Sequence, residues 1–349
     1  METRANNRLI TMKSAKAKAV FRAAAATVSL RLDGVGLLLA LLLVTFCSPT
    51  SLRAQNVITT VAGDVGGDNV AGASFNLPTG VAVDSLGDLY VADAQNCVVW
   101  EVTNGVSTVI AGIPGNCTPG AGSGALQSLA HPIDVAFCGN NLYFATHGFD
   151  PVLSTQSIST AVAGGVYEIS NGTFSTLPMP PTPVNSTTPL FPVALACNSS
   201  GDVYLASYFY PPSVLPAGSV DEIPAGSQTT ENLIQQAGTV YSGITVDSES
   251  NVFVLSTTGA SQGWLGTTLF GSNGFIDRVS NGATSPVFTI DDSFPNASRL
   301  ISNGLGNFLL TIAAGDSKPT VFVQAAPGNV VAGNGIAGFK DGVQATLAS

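Results

Sequence analysis

Two histidines and four cysteines carry most of the chemistry this sequence offers beyond its first 54 residues. His131 precedes a proline, and His147 lies three residues before Asp150, a pair that can hold a divalent metal or act as a general base. Cys97, Cys117, Cys138 and Cys197 are even in number and lack any C-x-x-C spacing. That pattern points to disulfides in an exported chain rather than to a zinc centre. P-loop, H-E-x-x-H and EF-hand patterns are missing, and the acidic-glycine run Gly63–Asp68 reads as a loop. No cofactor is expected; a divalent metal enters only if the histidines join an acidic residue in catalysis.

Short strands must position these residues. An alternating apolar phrase returns along the chain: D-L-Y-V-A at 88–92, N-L-Y-F-A at 141–145, D-V-Y-L-A at 202–206, and weaker echoes at 251–255 and 307–311. Gly, Asn, Asp and Pro turns separate the apolar runs, and helix-period patterns are absent after residue 54. Each repeat divides into four strands. The first strands end near Asp84, Cys138, Cys197, Asp247 and Asn303, about 50–60 residues apart. Recurrence at that period predicts an all-β propeller of four-stranded blades, with five blades visible. Val57–Gly63 reads as an N-terminal closing strand. The lead-in recurs at 329–349 without the strand that should follow, so a six-bladed parent with a truncated C-terminus is expected.

Strand direction alternates within such a blade, which sorts the loops between two faces. Cys97 and Cys117 fall on one face and Cys138 and Cys197 on the other, favouring the pairings 97–117 and 138–197; free buried thiols are the alternative. The face carrying the loops after each second and fourth strand also collects Asp93, His131, Asp134, His147, Asp150, Tyr208, Tyr210 and Trp264. Long aromatic loops on a rigid β scaffold are a usual seat of binding, for carbohydrate or protein, although the same aromatics can cap the loops' own cores. Asp93 suits a turn cap. Asn171, Asn185, Asn198 and Asn296 fit glycosylation sequons, and Leu177–Pro192 reads as a stiff connector.

Residues 1–54 read as a secretory signal: seven basic residues before residue 33, an apolar core from Val35 to Phe46, and a small residue, Ala54, at the expected cut. The core is shorter than the roughly 20 residues a spanning helix needs, so no stable membrane span is expected after removal. The remainder keeps four basic against twenty acidic residues, a net charge of −16. That balance excludes nucleic acid as a partner and predicts a secreted, periplasmic or cell-surface protein.

The stretch Val57–Val102 (I-T-T-V-A-G…L-P-T-G-V-A-V-D-S-L-G-D-L-Y-V-A-D-A-Q-N-C-V-V-W-E-V) resembles NHL repeats, and the chain resembles the exported NHL-repeat proteins of bacteria. The resemblance implies a propeller, normally six-bladed, whose loops form a binding surface. Some family relatives are enzymes, including peptide-amidating lyases and gluconolactonase-like or streptogramin-lyase-like propellers, with metal-ligating His or acidic residues on several inner strands. This chain has only His131 and His147 to offer. The reading is therefore a non-catalytic ligand- or protein-binding module. A metal-dependent propeller lyase or hydrolase is the alternative, and a structural fragment of a larger surface protein is a third.

Overall fold

The computed structural model describes residues 75–119, 122–148, 163–183, 186, 188–210, 216–258, 274–290, 297–302, 308–313, 321–326 and 329–332. They belong to one compact unit, Asn56–Ser349. Within it each repeat forms its own antiparallel sheet. Blade 1 holds β1 (Pro78–Val83), β2 (Leu89–Asp93), β3 (Val98–Thr103) and β4 (Val106–Gly112). Blade 2 holds β5 (Pro132–Cys138), β6 (Asn141–Thr146), β7 (Gly165–Ser170) and β8 (Thr173–Thr176). Blade 3 holds β9 (Phe191–Cys197), β10 (Val203–Phe209), β11 (Ala217–Ile223) and β12 (Glu231–Ala237). Blade 4 holds β13 (Thr239–Val246), β14 (Val252–Thr258), β15 (Gly274–Ser280) and β16 (Ala283–Ile290). A further sheet of the same order follows: β17 (Ala297–Ser302), β18 (Phe308–Ala313), β19 (Val321–Ala326) and β20 (Asn329–Ala332).

The first strands touch in succession, β1 with β5, β5 with β9, β9 with β13 and β13 with β17. Each blade therefore has its first strand at the hub and its fourth at the rim, the arrangement of a β-propeller with four blades set in a ring and the fifth sheet next in order. The expected strands at Val57–Gly63 and beyond Ala332 lie outside the described residues. Among the described residues no helix is long and apolar enough to cross a membrane.

The recurring phrase is explained by burial on both faces of each second strand. Tyr90 and Ala92 pack toward blade 2, Tyr143 and Ala145 toward blade 3, and Tyr204 and Ala206 toward blade 4. The residues between face back: Leu142 and Phe144 join the core with blade 1, Val203 and Leu205 that with blade 2, and Val252 and Val254 that with blade 3. Each tyrosine also stands opposite a third-strand glutamate, in the pairs Tyr90–Glu101, Tyr143–Glu168 and Tyr204–Glu222. Two of these hydroxyls donate to the carboxylate, at 3.2 Å (Glu101) and 3.4 Å (Glu222). The phenol thus ends an otherwise apolar strand in a polar contact at the blade edge.

Irregularities recur as regularly as the strands. Every first strand carries one extra residue near its start that the register with the second strand skips, namely Thr79, Ile133, Val193, Ser242 and Ser298. A bulge adds local twist and re-aims the residues around it. Pairing resumes on the far side of the bulge, so β1, β13 and β17 reach back to Pro78, Thr239 and Ala297 although alternation is broken there.

Candidate functional site

The second-strand ends of the loop face rest on one repeated device. A buried polar side chain near the end of the second strand meets the residue standing two pairs back on the third. In blade 1 the pair is Asp93 and Trp100, the indole N–H donating to Oδ2 at 3.0 Å. Blade 2 places Thr146 beside Tyr167, which exchange a side-chain hydrogen bond. Blade 4 reverses the polarity, with the Ser256 hydroxyl donating to Asp277. Blade 3 has Ser207 at the equivalent place, two residues before the end of β10, but its acid, Asp221, bonds Ser219 and Asn232 instead. Sequence reasoning missed this set because its members share no residue type; only the strand register aligns them.

Asp93 is fully buried and does more than cap a turn. It accepts the Asn76 N–H at 3.0 Å, the Asn96 side chain at 2.7 Å and the Trp100 indole. Burial pushes its carboxyl above the ordinary carboxylate range, against the pull of those donors. Asp134 is likewise buried; it accepts its neighbour's N–H at 2.6 Å and the Leu195 N–H at 2.9 Å, tying the hub strands of blades 2 and 3.

The two histidines sit back to back. The His147 N–H donates to the His131 carbonyl at 3.0 Å, yet the rings diverge. His131, in the left-handed region with φ 56°, turns toward blade 1 and places Nδ1 2.9 Å from the Ala94 carbonyl. That oxygen can only accept, so Nδ1 carries the proton. His147 turns toward blade 3, stacks on Phe191 at 5.5 Å and sets Nε2 3.3 Å from the Tyr208 hydroxyl. Tyr208 is only 6% exposed, and burial raises its phenol well above the usual value, Tyr210 adding to the shift. The expected aromatic platform is therefore, at Tyr208, a buried stack. Tyr210 is half-buried, edge-on to Tyr208 at 5.7 Å, with its N–H held by Thr188. Asp150 and Trp264 lie outside the described residues.

Both favoured cysteine pairs are bonded. Cys97–Cys117 has its Cα atoms 5.1 Å apart, and Cys138–Cys197, at the ends of two neighbouring hub strands, 6.0 Å apart, within the span a disulfide bridges. Gly112, at φ 92°, lets the chain pass Cys97 on its way to Cys117; a Cβ there would lie 2.3 Å from the Cys97 carbonyl. Cys97, Cys117 and His131 are, among the described residues, the one group of three potential metal ligands within reach of each other. The sulfurs are bonded to one another, so they do not supply the thiolates a soft metal needs. On the opposite face Asn198 is buried and committed. Its carbonyl oxygen takes the N–H groups of Ser200 and Asp202, and its amide donates to Asp202, Tyr204 and Ser250. This matches Asp84 and Asp247 in their turns, so Asn198, not Cys197, is the equivalent turn residue, and its sequon is a structural cap. Asn171 sits exposed in a hairpin turn, and Asn185 and Asn296 lie outside the described residues.

One motif the sequence reading passed over is G-x-S-x-G at 259–263, between β14 and β15 and outside the described residues.

Blade 1 closes on Asp93 from both directions, through Asn76 and Trp100, and the Phe75 and Trp100 rings meet edge to face at 6.1 Å. These residues bound the segment 75–100, which matches the family model of the NHL repeat. The fold is a β-propeller whose first blade carries an NHL repeat. No curated protein matches the sequence significantly. Among solved structures, a protein of unknown function from Bacteroides thetaiotaomicron VPI-5482 is similar at 12% identity and TM-score 0.50, over 83% of this chain and 68% of that one. The calcium-binding protein regucalcin from Agrobacterium tumefaciens strain C58 is similar at 13% identity and TM-score 0.36, over 74% and 90%. A streptogramin B lyase is similar at 12% identity and TM-score 0.40, over 73% and 84%. These likenesses concern the fold.

Proposed function

We propose that this protein is an exported, non-catalytic propeller that binds a carbohydrate or a partner protein through its loop face. The observation that carries the reading is the divergence of the two histidines: His131 is directed to Ala94 of blade 1 and His147 to Tyr208 of blade 3. A metal-dependent lyase or hydrolase needs such ligands to converge. The neighbouring acids are also committed, Asp93 to three donors and Asp134 to two backbone N–H groups. Their role in this reading is to hold the loop bases rigid beneath a surface to which Tyr210 contributes. Export is supported by the leader-like residues 1–54 and by the two disulfides. The same reading takes the ring as that of a six-bladed parent, with Val57–Gly63 supplying a closing strand.

A panel of immobilised polysaccharides probed with the full chain, beside a lactonase and lyase assay with added divalent metal, tests this reading. Binding that Tyr210→Ala weakens, without turnover, is the expected result. Chelator-sensitive turnover that His147→Ala abolishes would overturn it.

A further inference from the structure

A concavity lies at the seam between blades 2 and 3. Its origin is a short rim strand: β8 has four residues where β4 and β12 have seven. The Leu177 N–H still donates to the Val166 carbonyl at 2.9 Å, and then Pro178, Pro180, Pro181 and Pro183 follow. Prolines offer no N–H, so the ladder ends and the chain stands off from β11 and β12. The space left is about 340 Å³, within the range of small-ligand sites. Pro180, Pro181 and Leu190 form apolar walls, Ser219 and Asp221 the floor, and Asn232 and Gln235 the rim.

Asp221 is 2% exposed. Its oxygens accept from Ser219 Oγ at 2.7 Å and from Asn232 Nδ2 at 2.8 Å. Both partners are neutral, and each carboxylate oxygen retains capacity for a second donor. Among the described residues no lysine or arginine lines the cavity, and the connector Leu177–Pro192 carries no charged residue. The buried charge thus lacks a counter-ion, and burial accordingly raises the carboxyl, against the Ser219 and Asn232 bonds. A bare divalent ion needs several oxygen ligands at short range, which one carboxylate in a cavity of this size does not give. A sugar would supply hydroxyl donors but no charge.

We infer that this seam cavity binds a small organic cation, a primary ammonium group seated on Asp221 with its apolar stem against Pro180, Pro181 and Leu190. An ammonium brings three donors and the missing positive charge. The connector after β8 is a loop-face segment, but the cavity includes none of Tyr210, His131, His147, Asp93 or Asp134 and stands apart from the function proposed for them. Titration of the full chain with n-butylammonium chloride by calorimetry, with n-butanol and methyl glucoside in parallel, is the test. The amine should saturate one site, with butanol at least about tenfold weaker. Asp221→Asn should lose amine binding, and so should Gln235→Trp, which blocks the exposed rim. Equal binding of butanol, Asp221-dependent binding of the glucoside in preference to the amine, or unchanged amine binding by either folded variant overturns the proposal. Should Asp221→Asn fail to fold, Gln235→Trp decides alone.

Discussion

At the scale of single residues, the buried acids among the described residues are held by hydrogen-bond donors rather than by cations. Asp93 gathers a backbone N–H, an amide and an indole. Asp93→Ala would leave the Asn76 N–H and the Trp100 indole without their acceptor and should cost about 2–4 kcal/mol, read by urea unfolding. Burial raises Asp93, Asp221 and Asp277 above the ordinary carboxylate range, opposed in each by hydrogen-bond donors. For such groups the folded chain takes up protons at higher pH than the unfolded chain. Their contribution therefore falls as pH rises from the ordinary carboxylate value through the raised one, and returns on acidification. Asp247 works in the opposite sense: slight burial raises it, but Asn251, the Glu249 N–H and Arg278 outweigh that and lower it. Asp277→Asn should shrink the gain in melting temperature between pH 7 and pH 5; an unchanged difference would locate the pH response elsewhere.

At the scale of elements, the second strand is the unit that repeats most clearly because it is buried on both faces in blades 1 to 3. The alanine of each phrase is fully buried, as at Ala92, Ala145 and Ala206. Ala206 packs among Tyr204, Val220 and Tyr241 at the seam with blade 4. Ala206→Leu should destabilise by about 1–3 kcal/mol through overpacking, measured by thermal melting, whereas Leu86→Ala, in an exposed turn, should leave the melt unchanged. The strands were legible from alternation and turn residues, and β5 and β9 end at Cys138 and Cys197 as expected. The bulges were not, because an extra residue such as Ser242 bears no composition of its own and is defined only by what its partner strand skips.

At the scale of the whole molecule, the two disulfides act over different spans. Cys138–Cys197 closes 59 residues and joins the hub strands of blades 2 and 3, whereas Cys97–Cys117 closes 20. Chain-entropy reasoning gives about 4 kcal/mol for the first and about 3 for the second. Replacing Cys138 and Cys197 by alanine should thus lower the denaturation midpoint more than replacing Cys97 and Cys117. The reading of residues 1–54 as a leader makes a separate prediction: exported protein should begin at Gln55, lose Cys47, and show no free thiol under denaturing, non-reducing conditions.

The linear chain determined the number and order of strands, the recurrence near 50–60 residues, and the sorting of cysteines that led to both bonded pairs. These depend on alternation and turn chemistry, which act between near neighbours. The fate of His131 and His147 was decided in three dimensions: one peptide hydrogen bond joins them, but each ring is claimed by a different blade. The same holds for Asp93, Asp221 and Asp277, whose partners are set by register across strands. A side chain's role follows from the neighbours that bury it, and blade packing brings those neighbours together from residues far apart in the sequence.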